Sequence, residues 1–202
     1  MSSTLTDLQF CVPLGAVSGK IGVTTLDGTA VSATDLTVTQ PPRATTFAPA
    51  AATVGTTVMI GGTNLTGATG VTFTGPVTVT PTAVTATSLR AVVPAGALTG
   101  PVSVTNAIGT APSAASFKVL PKITGVIPPV ASLGSMVVVS GTNLKTGITD
   151  PVVKMGSLGA VVVASSLTEV TFTVPALAVT GTISITTADG TAVTVTPLLV
   201  TP

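Results

Sequence analysis

At 202 residues the chain has room for one large domain or two small ones, and its net charge of +1, with Lys and Arg scattered, excludes the concentrated basic face that nucleic acid demands. There is no His, and a single Cys excludes an intrachain disulfide framework. Mean hydropathy is +0.79, yet the apolar runs are strand-sized and fall short of the about 20 residues that a spanning helix needs, so no membrane insertion is expected.

Aromatic residues make up 2% of the chain, and Val and Thr are prominent throughout. A core built from Val, Ile, Leu and Ala, with β-branched side chains that suit a pleated sheet, points to an all-β fold class. Only 6% of the residues are charged, against about 25% in an average soluble domain. A surface of Thr, Ser, Gly and Ala is weakly defended against association, so much of it is expected to lie against neighbouring subunits.

Taken in chain order, residues 1–7 carry neither the basic nor the apolar region of a secretory signal, and none is expected there. Residues 8–40 gain meaning when laid on later stretches of the chain. Pro13, Pro94 and Pro175 recur at intervals of 81 residues, as do Gly19, Gly100 and Gly181, and Gly28, Gly109 and Gly190. The stretch ending in Phe10-Cys11-Val12-Pro13 matches those ending at Pro94 and Pro175. A fixed period of this length marks a repeated module. Its front half occurs only twice, at 46–64 and again at 125–143 with an offset of 79. The chain therefore reads as the back half of one repeat (1–40) followed by whole repeats at 41–121 and 122–202. Short Pro-containing junctions at 40–43 and 120–122 join them like beads.

Turn signals in the first whole repeat separate about seven strands, near 44–48, 56–60, 70–73, 77–80, 88–93, 100–106 and 115–119, the pattern of a β-sandwich. Alternation places Leu89, Ala91 and Val93 in one core and Val170, Phe172 and Val174 in the other, with Arg90, Thr171 and Thr173 outward. Phe10, Phe47 and Phe73 also fall at core positions. Asp27-Gly28 and Asp189-Gly190 are expected at hairpin turns in which both residues take positive φ. In each whole repeat a Gly-Thr-Asn turn follows an alternating strand. Asn64 and Asn143 close these turns and are expected to bond nearby backbone, which accounts for them better than a glycosylation role for Asn64-Leu65-Thr66.

Reactive chemistry has little to work with. The carboxylates Asp7, Asp27, Asp35, Asp150, Glu169 and Asp189 are spread over three modules, and general acid–base work needs two groups around one substrate. No catalytic residue, metal ligand or cofactor site is therefore assigned. Residues 15–21, beginning at Gly15, faintly resemble a phosphate loop but carry Ile21 where a hydroxyl should hold magnesium. Two features of residues 1–40 stand out. Leu8, Phe10, Val12, Ile21 and Val23 form an apolar face that no front half in the chain is free to cover; it is expected to be completed either by another chain, which makes it a candidate subunit interface, or by sequence upstream of residue 1. Cys11, outward by alternation, is a candidate intermolecular thiol, although an inert covered residue is the simpler reading.

The motif Gly-x-x-Val-x-Ile-x-Gly-Thr-Asn-Leu at 55–65, with Gly70, Val71 and Phe73, then Leu89 through Pro94, then Gly100 through Thr105, resembles the IPT/TIG domain, an immunoglobulin-like module. The resemblance covers residues 43–202 as two modules and 4–39 as half of one. It implies tandem immunoglobulin-like β-sandwiches, two whole and one half at the N-terminus. Since that family serves many functions, the fold does not fix the role. The expected role is a non-enzymatic fibre, spike or decoration subunit of a larger assembly, foremost a bacteriophage virion, with other protein subunits as partners in a homo-oligomer or with virion proteins. The alternative is part of a secreted bacterial adhesin or carbohydrate-binding surface protein, with host cell-surface glycans as ligands. The expected location is accordingly the virion or the extracellular surface.

Overall fold

A computed structural model describes residues 2–3, 7–13 and 16–201. Every regular element among them is a strand. The chain divides into two compact units, residues 1–40 and 41–202.

The first unit contains β1 (Ser2–Ser3), β2 (Leu8–Gln9), β3 (Gly22–Thr25) and β4 (Gly28–Val31). β1 pairs with β2, and β3 with β4, each in a two-stranded antiparallel ladder. The β3–β4 hairpin closes with Thr25 opposite Gly28, so Leu26 and Asp27 form the loop. Asp27 does not adopt the positive φ expected of it; Gly28 does, at 145°. The Asp27 amide is instead held by the Thr25 hydroxyl at 3.3 Å. The same turn recurs with Gly109 at 156° and Gly190 at 149°, and the Asp189 amide is again held by the preceding Thr187 hydroxyl. Glycine is needed one position beyond the loop, where an L side chain would be strained.

In the second unit the first module consists of β5 (Arg43–Ala48), β6 (Ala51–Ala52), β7 (Thr57–Thr63), β8 (Gly70–Phe73), β9 (Val77–Val79), β10 (Ser88–Val92), β11 (Gly100–Asn106) and β12 (Gly109–Val119). One sheet has the order β10-β7-β5 and the other β6-β12-β11-β8-β9. Both supply one core: Val58, Ile60, Leu89 and Ala91 from the first sheet, Val71, Phe73, Val102, Val104 and Phe117 from the second. The alternation read for residues 89–93 therefore holds. Phe117 stands edge-on to both Phe47 and Phe73, with ring centroids 5.5 and 5.7 Å apart.

The second module continues with β13 (Lys122–Ile127), β14 (Val130–Ser132), β15 (Met136–Thr142), β16 (Val152–Met155), β17 (Leu158–Ser165), β18 (Glu169–Thr173), β19 (Ile183–Thr187), β20 (Gly190–Val193) and β21 (Leu199–Thr201). Here the long β17 pairs with β16 at one end and β18 at the other, so the ladder runs unbroken as β13-β15-β18-β17-β16-β19-β20. In the first module β9 ends just before Pro81, which has no N–H to donate, and only the isolated pair Thr82–Arg90 continues toward β10.

The repeated Gly-Thr-Asn turn now has a mechanical reading. Gly62 on β7 and Gly141 on β15 lie beside register shifts in their antiparallel neighbours, β5 and β13 respectively. A Cβ on either would collide with the Arg43 or Lys122 carbonyl. Asn64 and Asn143 come next in the left-handed region, at φ 57° and 54°, which Asn tolerates better than most residues.

Candidate interaction surfaces

The back half of the repeat is built three times with the same internal bonds. The amides of Ile21, Val102 and Ile183 donate at 3.0 Å to the hydroxyls of Ser32, Ser113 and Thr194 respectively. Those of Val38, Val119 and Val200 donate to Ser18, Thr99 and Thr180 at 2.9 to 3.0 Å. Gly19 faces Leu36 across an antiparallel bridge just as Gly100 faces Phe117 and Gly181 faces Leu198. Residues 16–38 thus carry the geometry of a module's back half.

What differs is cover. In the first whole module β10 lies against β7, with Leu89 opposite Ile60 and Ala91 opposite Val58. Leu89, Ala91 and Val93 are 0%, 3% and 0% exposed, whereas their counterparts Leu8, Phe10 and Val12 are 49%, 43% and 49% exposed. Val23 is 38% exposed, Ile21 is half-buried, and no described residue of 7–40 is buried. The expected placement of Phe10 in a core is corrected by this: the position is a core position, but its covering sheet is absent from the unit. Only Leu8–Gln9 of this stretch forms a strand. Cys11 is exposed as expected, beside equally exposed Phe10 and Val12, so alternation does not sort two faces here.

Of the phosphate-loop-like stretch, Gly15 lies outside the described residues. Its Lys20 is already engaged, donating from Nζ to the carbonyls of Ala33 at 2.8 Å and Ser32 at 3.2 Å. No group of three or more His, Cys, Asp or Glu able to hold a metal is present among the described residues.

Asn143 departs from its expected role. Its side chain bonds not to nearby backbone but to the preceding module, Nδ2 donating to the Ala97 carbonyl at 3.0 Å, and the residue is buried. No local signal announces a partner 46 residues away. Exposed Asn64 reaches only the Pro41 carbonyl, at 3.5 Å. Beside Asn143 the two modules enclose a cleft of about 390 Å³, lined by Thr74, Leu98, Lys145, Leu167 and Asp189. On its rim Thr146 donates to the buried Asp189 carboxylate at 3.0 Å. At the same joint Gly190 sits against Leu120 and Pro121, leaving little room for a side chain.

The loop at 145–150 is closed by an ion pair, Lys145 Nζ to Asp150 Oδ1 at 2.8 Å. Hydrogen bonds from Lys145 and then Ser165, together with the Lys145 charge, hold the Asp150 carboxyl below its usual range.

The sequence profile of the IPT/TIG domain matches residues 42–119 and 121–201. No curated protein matches the chain. Among solved structures, the chain is similar to a surface glycan-binding protein from Prevotella bryantii, at 17% identity over 90% of this chain and 41% of that one, with a TM-score of 0.44. It is similar to SGBP-B from a xyloglucan utilization locus of Bacteroides uniformis, at 27% identity over 78% of this chain and 49% of that one, with a TM-score of 0.35. The extracellular region of plexin A4 is a third, at 20% identity over 79% of this chain and 18% of that one, with a TM-score of 0.38. The chain spans less than half the length of each of these proteins.

Proposed function

Since the chain belongs to the IPT/TIG domain family, we propose that it is a non-enzymatic structural and interaction protein whose tandem immunoglobulin-like modules join other protein subunits in an assembly displayed at an extracellular surface. The observation that carries this reading is the exposure of Leu8, Phe10 and Val12 at positions that are buried in the first whole module. Fully burying an exposed Val, Leu or Phe side chain contributes roughly 1.5–3 kcal/mol, and since about half of each of these three is already covered, a partner gains roughly half of that at each. The low charge supports it further, since 6% of charged residues offers little electrostatic resistance to packing against neighbours. Cys11, exposed in the same stretch, is positioned to bridge two chains once that contact forms.

The setting we propose is a bacterial surface; the virion setting expected from the sequence finds no support in the comparisons. A glycan-binding role for the surface is the second reading. Sugars stack on exposed aromatic rings, and of the five Phe only Phe10 is exposed, while the cleft at the joint has no aromatic lining. Hydrogen exchange on the assembly isolated from its source tests the main reading: amides at 8–12 are expected to be protected in the assembly and fast in the recombinant chain. Equal exchange in both would end it. A glycan array probed with the chain and with Phe10→Ala tests the second reading.

A further inference from the structure

The apolar face of residues 8–38 carries information about what covers it. Five apolar core positions of the back half distinguish the two whole modules. The first has Leu89, Ala91, Val102, Val104 and Phe117; the second has Val170, Phe172, Ile183, Ile185 and Leu198. The half module shares Phe10, Ile21 and Leu36 with the second module and Leu8 and Val23 with the first, so the site of its one ring follows the second.

The front halves compensate for this difference. Ladder register fixes the equivalences: Phe47 opposite Ile60 corresponds to Val126 opposite Val139, and Phe73, two residues beyond Val71, corresponds to Met155, two beyond Val153. In the first module a front half bearing Phe47 and Phe73 faces the small Ala91. In the second, Val126 and Met155 leave room for Phe172, which lies opposite Val137 on β15. The second front half loses both rings, while its back half keeps one, at Phe172 instead of the Phe117 position, and gains bulk at Ile183, so volume shifts from the front half to the back as close packing favours.

We propose that the face formed by Leu8, Phe10, Val12, Ile21 and Leu36 is completed by the front half of an IPT/TIG module with small core residues, of the kind seen in residues 122–168, carried on another polypeptide segment. It docks by strand addition along residues 8–12, with a Val or similar residue opposite Phe10, in the register of β15 on β18. A front half of the Phe47 and Phe73 kind would overfill the same core. This deepens the reading of residues 8–38 as an interface and rests on it.

The test adds two synthetic front halves, residues 122–168 and residues 41–87, separately to the full chain and measures affinity by calorimetry and amide exchange at residues 8–12. The 122–168 polypeptide is expected to bind and protect those amides, and the 41–87 polypeptide to bind at least about tenfold more weakly. Phe10→Ala, an exposed position whose substitution leaves the fold intact, is expected to reverse that order. Equal affinities, or no reversal in Phe10→Ala, would overturn the proposal. So would protection of residues 8–12 in the chain alone through a second copy. Protection of these amides by the native partner, with neither front half binding, would sink this proposal and leave the interface reading standing.

Discussion

Two substitutions at Asn143 separate what its backbone and its side chain contribute. Glycine keeps the left-handed φ of 54° and removes the bond to Ala97. Alanine removes the bond and also strains the backbone, a penalty of about 1–2 kcal/mol for an L residue in that region. Asn143→Gly is therefore expected to leave the melting of each module nearly unchanged while loosening their coupling, seen as diverging rotational correlation times in amide relaxation. Asn143→Ala is expected to lower stability as well. A different group responds to pH. Asp150 ionises more readily in the folded chain than free carboxylates do, so its pairing with Lys145 stabilises the loop above the ordinary carboxylate range. That contribution disappears as pH falls through the lowered folded value. Carboxyl titration by nuclear magnetic resonance should show this, and Lys145→Met should move the midpoint back up. Residues differ in how legible they are. Leu89, Ala91 and Val93 declare their burial by alternation alone, because a strand's period is local. Asn143 announces its turn but not its partner, since the carbonyl it meets belongs to a module folded 46 residues earlier.

Among elements, the pairing of β13 with β15, like that of β5 with β7, holds a close approach at its glycine that the repeat preserves. Gly141→Ala pushes a methyl group into the Lys122 carbonyl, and the strands must separate to admit it. Overpacking of this kind costs about 1–3 kcal/mol, so a chemical-denaturation midpoint for the second module should fall clearly while the first module's stays put. Strand positions in the first module are readable from turn residues and alternation, to within a residue or two at most ends. β6 is not, being only Ala51–Ala52, too short for any period. The early start of β12 at Gly109 also escapes the pattern, because Pro112 and small residues disguise a strand that pairs by its backbone. The Asp-Gly turns show the limit of dipeptide rules. The positive φ falls on the glycine alone, since a Thr or Asn side chain one turn earlier fixes the loop amides.

At the scale of the whole chain, the repeat is visible in the spacing of prolines and glycines, and so is the shortage of a front half. What spacing cannot show is that residues 16–38 hold the back-half geometry without it. The hydroxyl bonds from Ser18 and Ser32 do this locally, closing the segment on itself. Ser32→Ala is accordingly expected to loosen residues 18–38, with faster amide exchange there, while Ser113→Ala in the covered first module should cost about 1–3 kcal/mol for the buried amide left unpaired.

One further property comes from β6 and β14, two short strands near the start of each module. Each lies parallel to the last strand of its own module, Ala51–Ala52 beside Lys118–Val119 and Val130–Ser132 beside Leu199–Thr201. When the chain is pulled from both ends, parallel neighbours at the entry and exit of a module are drawn past each other in opposite directions. Their bonds, such as Leu120 to Ala52 at 2.9 Å and Leu199 to Pro129 at 3.1 Å, are then loaded together in shear rather than opened one at a time. A string of such modules is suited to carry tension, and each should yield to an optical trap in a single abrupt step.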